Sequence, residues 1–276
     1  MIKTALLIVL LSFAARAQNP GPANDSPSQP APSSSVANDA AQKDPSAQRA
    51  QQAFQQMVQA LGGDAYLNLR DMEQQGRSSS FYHGQATGAV VPFWRFIKFP
   101  DKDRIELTKQ RDWVLIYTGD QGYEITYRGS KPVEPKELKD YLQRREYSLD
   151  NILRVWLKDP RIAYFYEGRA FLENKQVDNV TLMNSKDESV TIAIDTASHL
   201  PIKKSFKLRD PESGEMDEDA EIYANYRMED GFNTAHVITR LKNDEMVAER
   251  FLFKVTYNKG IDDSMFVPGA GKKKKK

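Results

Sequence analysis

Three histidines and one run of carboxylates are the residues of this chain best equipped for chemistry, and their spacing argues against it. His83, His199 and His236 stand far apart, and none has a His or Glu at the helical interval that presents two ligands to one zinc ion. Asp217, Glu218, Asp219 and Glu221 follow Pro211, Ser213 and Gly214, which reads as a solvated loop, with weak calcium binding as the alternative. No Gly-x-Ser-x-Gly elbow, Gly-rich phosphate loop or Gly-x-Gly-x-x-Gly turn occurs. The chain has no cysteine, which removes disulfides, thiolate nucleophiles and thiolate metal sites together. No catalytic residue, metal or cofactor is therefore assigned, and a non-enzymatic binding protein is expected. Were the chain a hydrolase, His83 and His199 would be the residues to test.

The N terminus reads as an address. MIKTALLIVLLSFAARAQNP sets Lys3 before an apolar run from Ala5 to Ala15 and a small-x-small step at Ala15-Arg16-Ala17. Residues 1–17 have the layout of an export signal, and the run is too short to span a bilayer as a helix. The expected product is a soluble periplasmic or secreted protein cut near Ala17. No Cys follows the cut, so the chain is not itself acylated in the manner of a bacterial lipoprotein. Residues 18–45 hold six of the fourteen prolines and no aromatic, a disordered tether by composition. Residues 269–276 form a lysine tail. Lys272 to Lys276 would each contribute about 1 kcal/mol to transient contact with an anionic membrane, or serve only to solubilise.

The formal charge of +1 misleads. Without Lys3, Arg16 and the five terminal lysines, 32 basic residues face 38 acidic ones, a net of −6. Basic residues are interspersed with acids rather than striped, which argues against nucleic acid.

Residues 46–268 carry the fold. Ala50, Phe54, Met57, Val58 and Leu61 recur at helical spacing behind the Asp44-Pro45 start, and Gly62-Gly63 ends the run. Short β-rich runs follow at about ten-residue intervals, too closely for helical crossovers, so the strands should form an antiparallel meander. One interruption, Pro135 to Asp159, reads as two helices with Ser148 as the cap between them. The expectation is an α+β, mostly β fold: an open antiparallel half-barrel of about 11 strands, a leading helix and a central helical lid.

Alternation places Phe251, Phe253, Val255 and Tyr257 on one side of the last strand. Phe93 to Ile97 and Trp113 to Tyr117 are apolar on both sides. Either a helix covers their outer side, or they line a site on one side and the core on the other. Two amphipathic helices inserted between strands of one sheet bury their stripes by lying across a face of it.

AIDTASHLPIKKSF, residues 193 to 206, is a hairpin in which Asp195 should accept backbone hydrogen bonds and Pro201 opens the returning strand where no ladder donor is needed. Together with LGGDAYLNLRDM, YANYRMEDGFNTAHVI and the closing FVP, it resembles the LolA-like superfamily of periplasmic lipoprotein carriers and their relatives. The resemblance runs from about Ala47 to Pro268. It implies binding of a lipid or an acylated protein in a concave apolar cavity. The lining would be Trp94, Phe96, Trp113, Leu115, Phe251 and Phe253, and the lid would offer Leu142, Ile152, Leu153 and Trp156. The rival reading is a sensor or adaptor module that binds a protein partner on the same half-barrel.

Overall fold

A computed structural model describes residues 44–210 and 213–269. The segments read as an export signal, a tether and a lysine tail lie almost wholly outside the described residues.

Helix α1 (Pro45–Leu61) starts where Asp44 accepts a hydrogen bond from the Ser46 amide at 3.1 Å, with Pro45 in the first turn. Its apolar stripe, Ala50, Ala53, Phe54, Met57, Val58 and Leu61, is buried along its length. Each fully buried large side chain contributes about 1.5–3 kcal/mol. Gly62 ends the helix at φ 138°, and a Cβ there would lie 2.5 Å from Phe232 Cδ1. Both the backbone angle and that close approach call for glycine. A single turn, α2 (Gly63–Leu67), leads into the sheet.

The strands are β1 (Asp71–Tyr82), β2 (Gln85–Ala86), β3 (Val91–Lys98), β4 (Lys102–Leu107), β5 (Trp113–Thr118), β6 (Gln121–Thr126) and β7 (Gly129–Pro132). Helices α3 (Pro135–Glu146) and α4 (Leu149–Arg154) and a 3-10 turn, Trp156–Lys158, follow. Then come β8 (Ala163–Leu172), β9 (Lys175–Met183), β10 (Ser189–Asp195), β11 (Pro201–Arg209), β12 (Met216–Glu229), β13 (Phe232–Lys242) and β14 (Glu245–Tyr257). A last 3-10 turn spans Asp263–Phe266.

All fourteen strands belong to one open antiparallel sheet, ordered β7-β6-β5-β4-β3-β1-β14-β13-β12-β11-β10-β9-β8, with β2 paired only to β1. The count exceeds the expected eleven or so. The extra members are β2, two residues long, and β7, whose Gly-Ser-Lys-Pro has no apolar residue to signal a strand. Pro132 is tolerated at the edge, where a ladder donor is dispensable.

The topology explains the inserted helices. β7 and β8 are the two edges of the sheet, so the segment joining them has to travel from one edge to the other. α3 and α4 make that crossing over one face, called here the helical face, which α1 also covers. The main core forms there: Phe54, Met57 and Leu61 of α1 and Ile152, Leu153 and Trp156 of the α4 region bury against Val180, Leu182, Val190, Ile192, Ile194 and Phe206. Tyr147, at the corner between α3 and α4, stacks on Phe206 with ring centroids 4.3 Å apart. The Ser148 hydroxyl accepts the Asn151 amide at 3.2 Å, the expected cap.

In the 193–206 hairpin, Asp195 accepts from the Ala197 amide at 3.1 Å and the Ser198 hydroxyl at 2.7 Å. Pro201 leaves its carbonyl to the Tyr226 hydroxyl, 2.8 Å away. The motif is structural.

Candidate functional site

Cross-strand register assigns each side chain of β3, β4 and β5 to a face. Arg95 pairs with Ile105 and Ile105 with Leu115, while Ile97 pairs with Asp103 and Asp103 with Tyr117. These residues look toward the helical face. Leu138 and Leu142 of α3 pack with Ile105 and Leu115 around buried Tyr117, Val133 and Tyr141. The cluster is small and separate from the main core.

A polar set lies beside it. Arg95 grips Asp103 through two parallel contacts, Nε to Oδ1 at 3.0 Å and Nη2 to Oδ2 at 2.7 Å. Tyr141 donates its hydroxyl to Asp103 Oδ2 at 3.0 Å, and its ring lies parallel to that of Tyr117. Burial, reinforced by the Asp103 charge, pushes the Tyr141 hydroxyl pKa up, so it stays a donor. Burial alone would lower the Arg95 pKa, but Asp103 overrides it and the guanidinium is raised.

The middle of the sheet is charged on the same face. Glu221 lies 3.3 Å from Lys204 and from Arg250, and accepts from the Tyr223 hydroxyl at 2.9 Å. Burial by itself raises this carboxyl, yet the two cations and the hydroxyl outweigh it and bring its pKa down to about 2. Lys204 also donates to the Tyr147 carbonyl at 2.9 Å, tying the floor to the α3–α4 corner. Arg240 holds Asp219 at 2.6 Å. Arg144 of α3 is lowered mainly by burial and then by the nearby Arg240 charge.

Between the helices and the β3–β4 turn lies a cavity of about 40 Å³, bordered by Arg95, Ile97, Phe99, Arg145, Arg154 and Val155 among others. That is room for roughly three water molecules. An acyl chain does not fit that space unless the helices move.

The residues expected to line a cavity separate into four groups. Leu115 and Leu142 come together on the helical face, and Trp113, at the end of β5 and 43% exposed, shares the strand parity of Leu115. Trp94 and Phe96 point the other way, where Val114, Ile116 and Phe266 cover them. Phe251 and Phe253 lie on the outer face, 39% and 55% exposed. Ile152, Leu153 and Trp156 belong to the main core with α1. The alternation expected for the last strand breaks at a bulge, where the pairing with β1 shifts between Gln75 and Gly76. The extra residue leaves Leu252, Val255 and Tyr257 buried together and turns Phe251 and Phe253 outward.

Both sides of β5 are thus covered, by α3 on one and by the C-terminal segment on the other. Lys98 and Lys102 hold Asp263 at 2.9 and 2.7 Å, and Arg104 donates to the Met265 carbonyl at 2.9 Å. These contacts seat Phe266 of the FVP ending in its cluster.

The histidines occupy unrelated places. His83 sits in the β1–β2 turn 3.2 Å from Glu245, and His199 in the β10–β11 turn at φ 57°. His236 is buried, with Nδ1 2.9 Å from the Leu252 carbonyl and Nε2 3.0 Å from Glu229, an approach outside hydrogen-bond alignment. Among the described residues no three His, Asp or Glu side chains are placed to hold a metal ion. Sequence reasoning missed the buried charges Asp103 and Arg154 and the half-buried Arg95 and Glu221. The signal for Arg95 was present, since it shares strand parity with Phe93 and Ile97.

One open antiparallel sheet crossed by helices defines the class of protein, and the chain has a LolA-like fold. A DUF1329-family protein from Desulfovibrio piger superimposes with a TM-score of 0.54 at 11% identity, over 79% of this chain and 97% of that one. A domain assigned to outer-membrane lipoprotein sorting from Vibrio parahaemolyticus gives 0.52 at 10% identity, over 80% and 97%. A LolA-superfamily protein from Nitrosomonas europaea gives 0.50 at 11%, over 79% and 97%. No protein-family model matches the sequence, and no curated protein matches it. Among the described residues no helix is long and apolar enough to cross a membrane.

Proposed function

We propose that this chain is an exported, non-enzymatic carrier that holds acyl chains of a lipid or lipoprotein between α3 and strands β4 to β6. The observation that carries the reading is the separate seating of α3. It rests on a small apolar cluster of its own, while α1 and α4 are built into the main core. Lifting α3 therefore uncovers Ile105, Leu115 and Tyr117, with Trp113 already open beside them, and leaves the core intact. Each acyl methylene buried there contributes about 0.8 kcal/mol, so one chain repays the undocking without polar recognition. The likeness in fold to a domain assigned to lipoprotein sorting supports the same reading.

Delipidated protein titrated with a fluorescent fatty acid tests it. Wild type should show saturable uptake, and Leu115→Asp or Trp113→Asp should abolish it while the circular dichroism spectrum persists. Absence of uptake by wild type would defeat the carrier reading.

An adaptor that binds a protein partner is the second reading, favoured by exposed Phe251 and Phe253 on the outer face, where Arg77 lies 5.4 Å from the Phe253 ring. Native mass spectrometry separates the two, through co-purified lipid or a captured protein with no lipid.

A further inference from the structure

The small cavity beneath the helices has charge features that an apolar cargo does not require. Arg145, near the end of α3, borders it and donates Nη1 only to backbone carbonyls, Gly119 at 2.6 Å and Asp101 at 3.4 Å. Among the described residues no carboxylate lies within ion-pair distance of it. Arg154 of α4 borders the same cavity and is 6% exposed. Its Nη1 reaches Asp150 at 2.9 Å and its Nη2 the Tyr66 carbonyl at 2.8 Å, while Nε is buried with no hydrogen-bond partner. An unmet guanidinium donor in the interior is destabilising, a cost that persists where something satisfies the group in use. Asp103 is already saturated by Arg95 and the Tyr141 hydroxyl, so it does not compensate either arginine.

We infer that this cavity is a subsite for a small oxyanion, a phosphate or carboxylate, held by Arg145 and Arg154. Guanidinium groups bind such anions through paired charge-assisted hydrogen bonds, which two incompletely used forks can supply. The surroundings suit an anion at the end of an apolar chain: Ile97, Phe99 and Val155 border the same space, and the Phe99 ring lies 4.1 Å from the Arg154 guanidinium carbon. A lipid headgroup is the occupant consistent with the carrier reading, on which this choice of cargo rests. Three carboxylates that border the cavity oppose an anion. Asp103 and Asp150 are held by Arg95 and Arg154, whereas Asp101, in the β3–β4 turn, pairs with no cation among the described residues. Removing that charge should strengthen binding.

The experiment titrates the delipidated full chain by calorimetry with hexadecyl phosphate, with monopalmitoylglycerol as the uncharged single-chain lipid, and with inorganic phosphate alone. The phosphate lipid should bind at least about tenfold more tightly than the glyceride, a preference within reach of charge-assisted bonds. Arg145→Gln should erase that preference and leave glyceride binding unchanged. Asp101→Asn, which breaks no hydrogen bond, should tighten the phosphate lipid several-fold, and it decides the matter if Arg145→Gln fails to fold. Saturable binding of inorganic phosphate, lost in Arg145→Gln, supports the subsite with a free anion as its source. If that occurs and neither lipid binds, the subsite stands and the carrier reading falls. Equal affinity for the two lipids, with no phosphate binding and no effect of Asp101→Asn, overturns the subsite and leaves the carrier reading in place.

Discussion

The rings of Tyr117 and Tyr141 lie within 7° of parallel with centroids 3.5 Å apart, one on β5 and the other on α3. Stacking alone would let the helix slide, but the Tyr141 hydroxyl is also fixed to Asp103, which Arg95 holds in turn. One aromatic side chain thus pins α3 to both β4 and β5 at the cluster a cargo would have to open.

Tyr141→Phe keeps the stack and removes the bond to Asp103. It should loosen α3 by about 1–2 kcal/mol. Hydrogen exchange should then show faster exchange across 135–146, with β9 to β11 unchanged. An equal loss of protection in both regions would mean that α3 does not open independently of the core.

The pH response follows from Glu221. Its carboxyl is depressed in the folded state, so it contributes stability above the unfolded value of 4.5 and loses it as pH falls toward about 2. Glu221→Gln leaves Lys204 and Arg250 facing each other without an anion and should cost about 2 kcal/mol at neutral pH. The figure is less than for a fully buried pair because part of the carboxylate stays in contact with solvent. Urea midpoints at pH 7 and pH 3 check this: the variant's deficit should shrink at the lower pH.

The bulge in β14 predicts opposite outcomes for neighbours. Phe253→Ser, on the outer face, should change stability by less than about 0.5 kcal/mol. Leu252→Ala, inside the cluster with Met72 and Phe93, should cost about 2–5 kcal/mol. Thermal midpoints that fall equally for both would place Phe253 in the core.

At the C-terminal segment, Phe266→Ala should cost about 3 kcal/mol by emptying its place among Phe96, Val114 and Ile116. Fatty-acid uptake should persist at a temperature where the variant is folded, since this cluster faces away from α3. Lost uptake in folded protein would link the two faces.

Much of the fold was legible because its signals are local. The helical period from Ala50 to Leu61, the Asp44 and Ser148 caps and the Asp195 turn all act within a few residues, and each occupies its expected place. β7 escaped notice because an edge strand needs neither apolar residues nor a full set of donors. The site was less legible. Trp113, Leu115 and Leu142 share a face, but the aromatic character of Trp94 and Phe96 says nothing about which side they turn to. Phe251 and Phe253 were set by a one-residue bulge, which no alternation pattern encodes.

The amino-acid order by itself determined most of the strands and helices, and that two helices interrupt the meander, because periodicity, caps and turns are properties of neighbouring residues. Only the tertiary structure decided that β1 joins β14, that the helices cross from edge to edge, and that Arg145 and Arg154 border one cavity. Those are contacts between residues distant along the chain, and their energy depends on a register that local pattern leaves open.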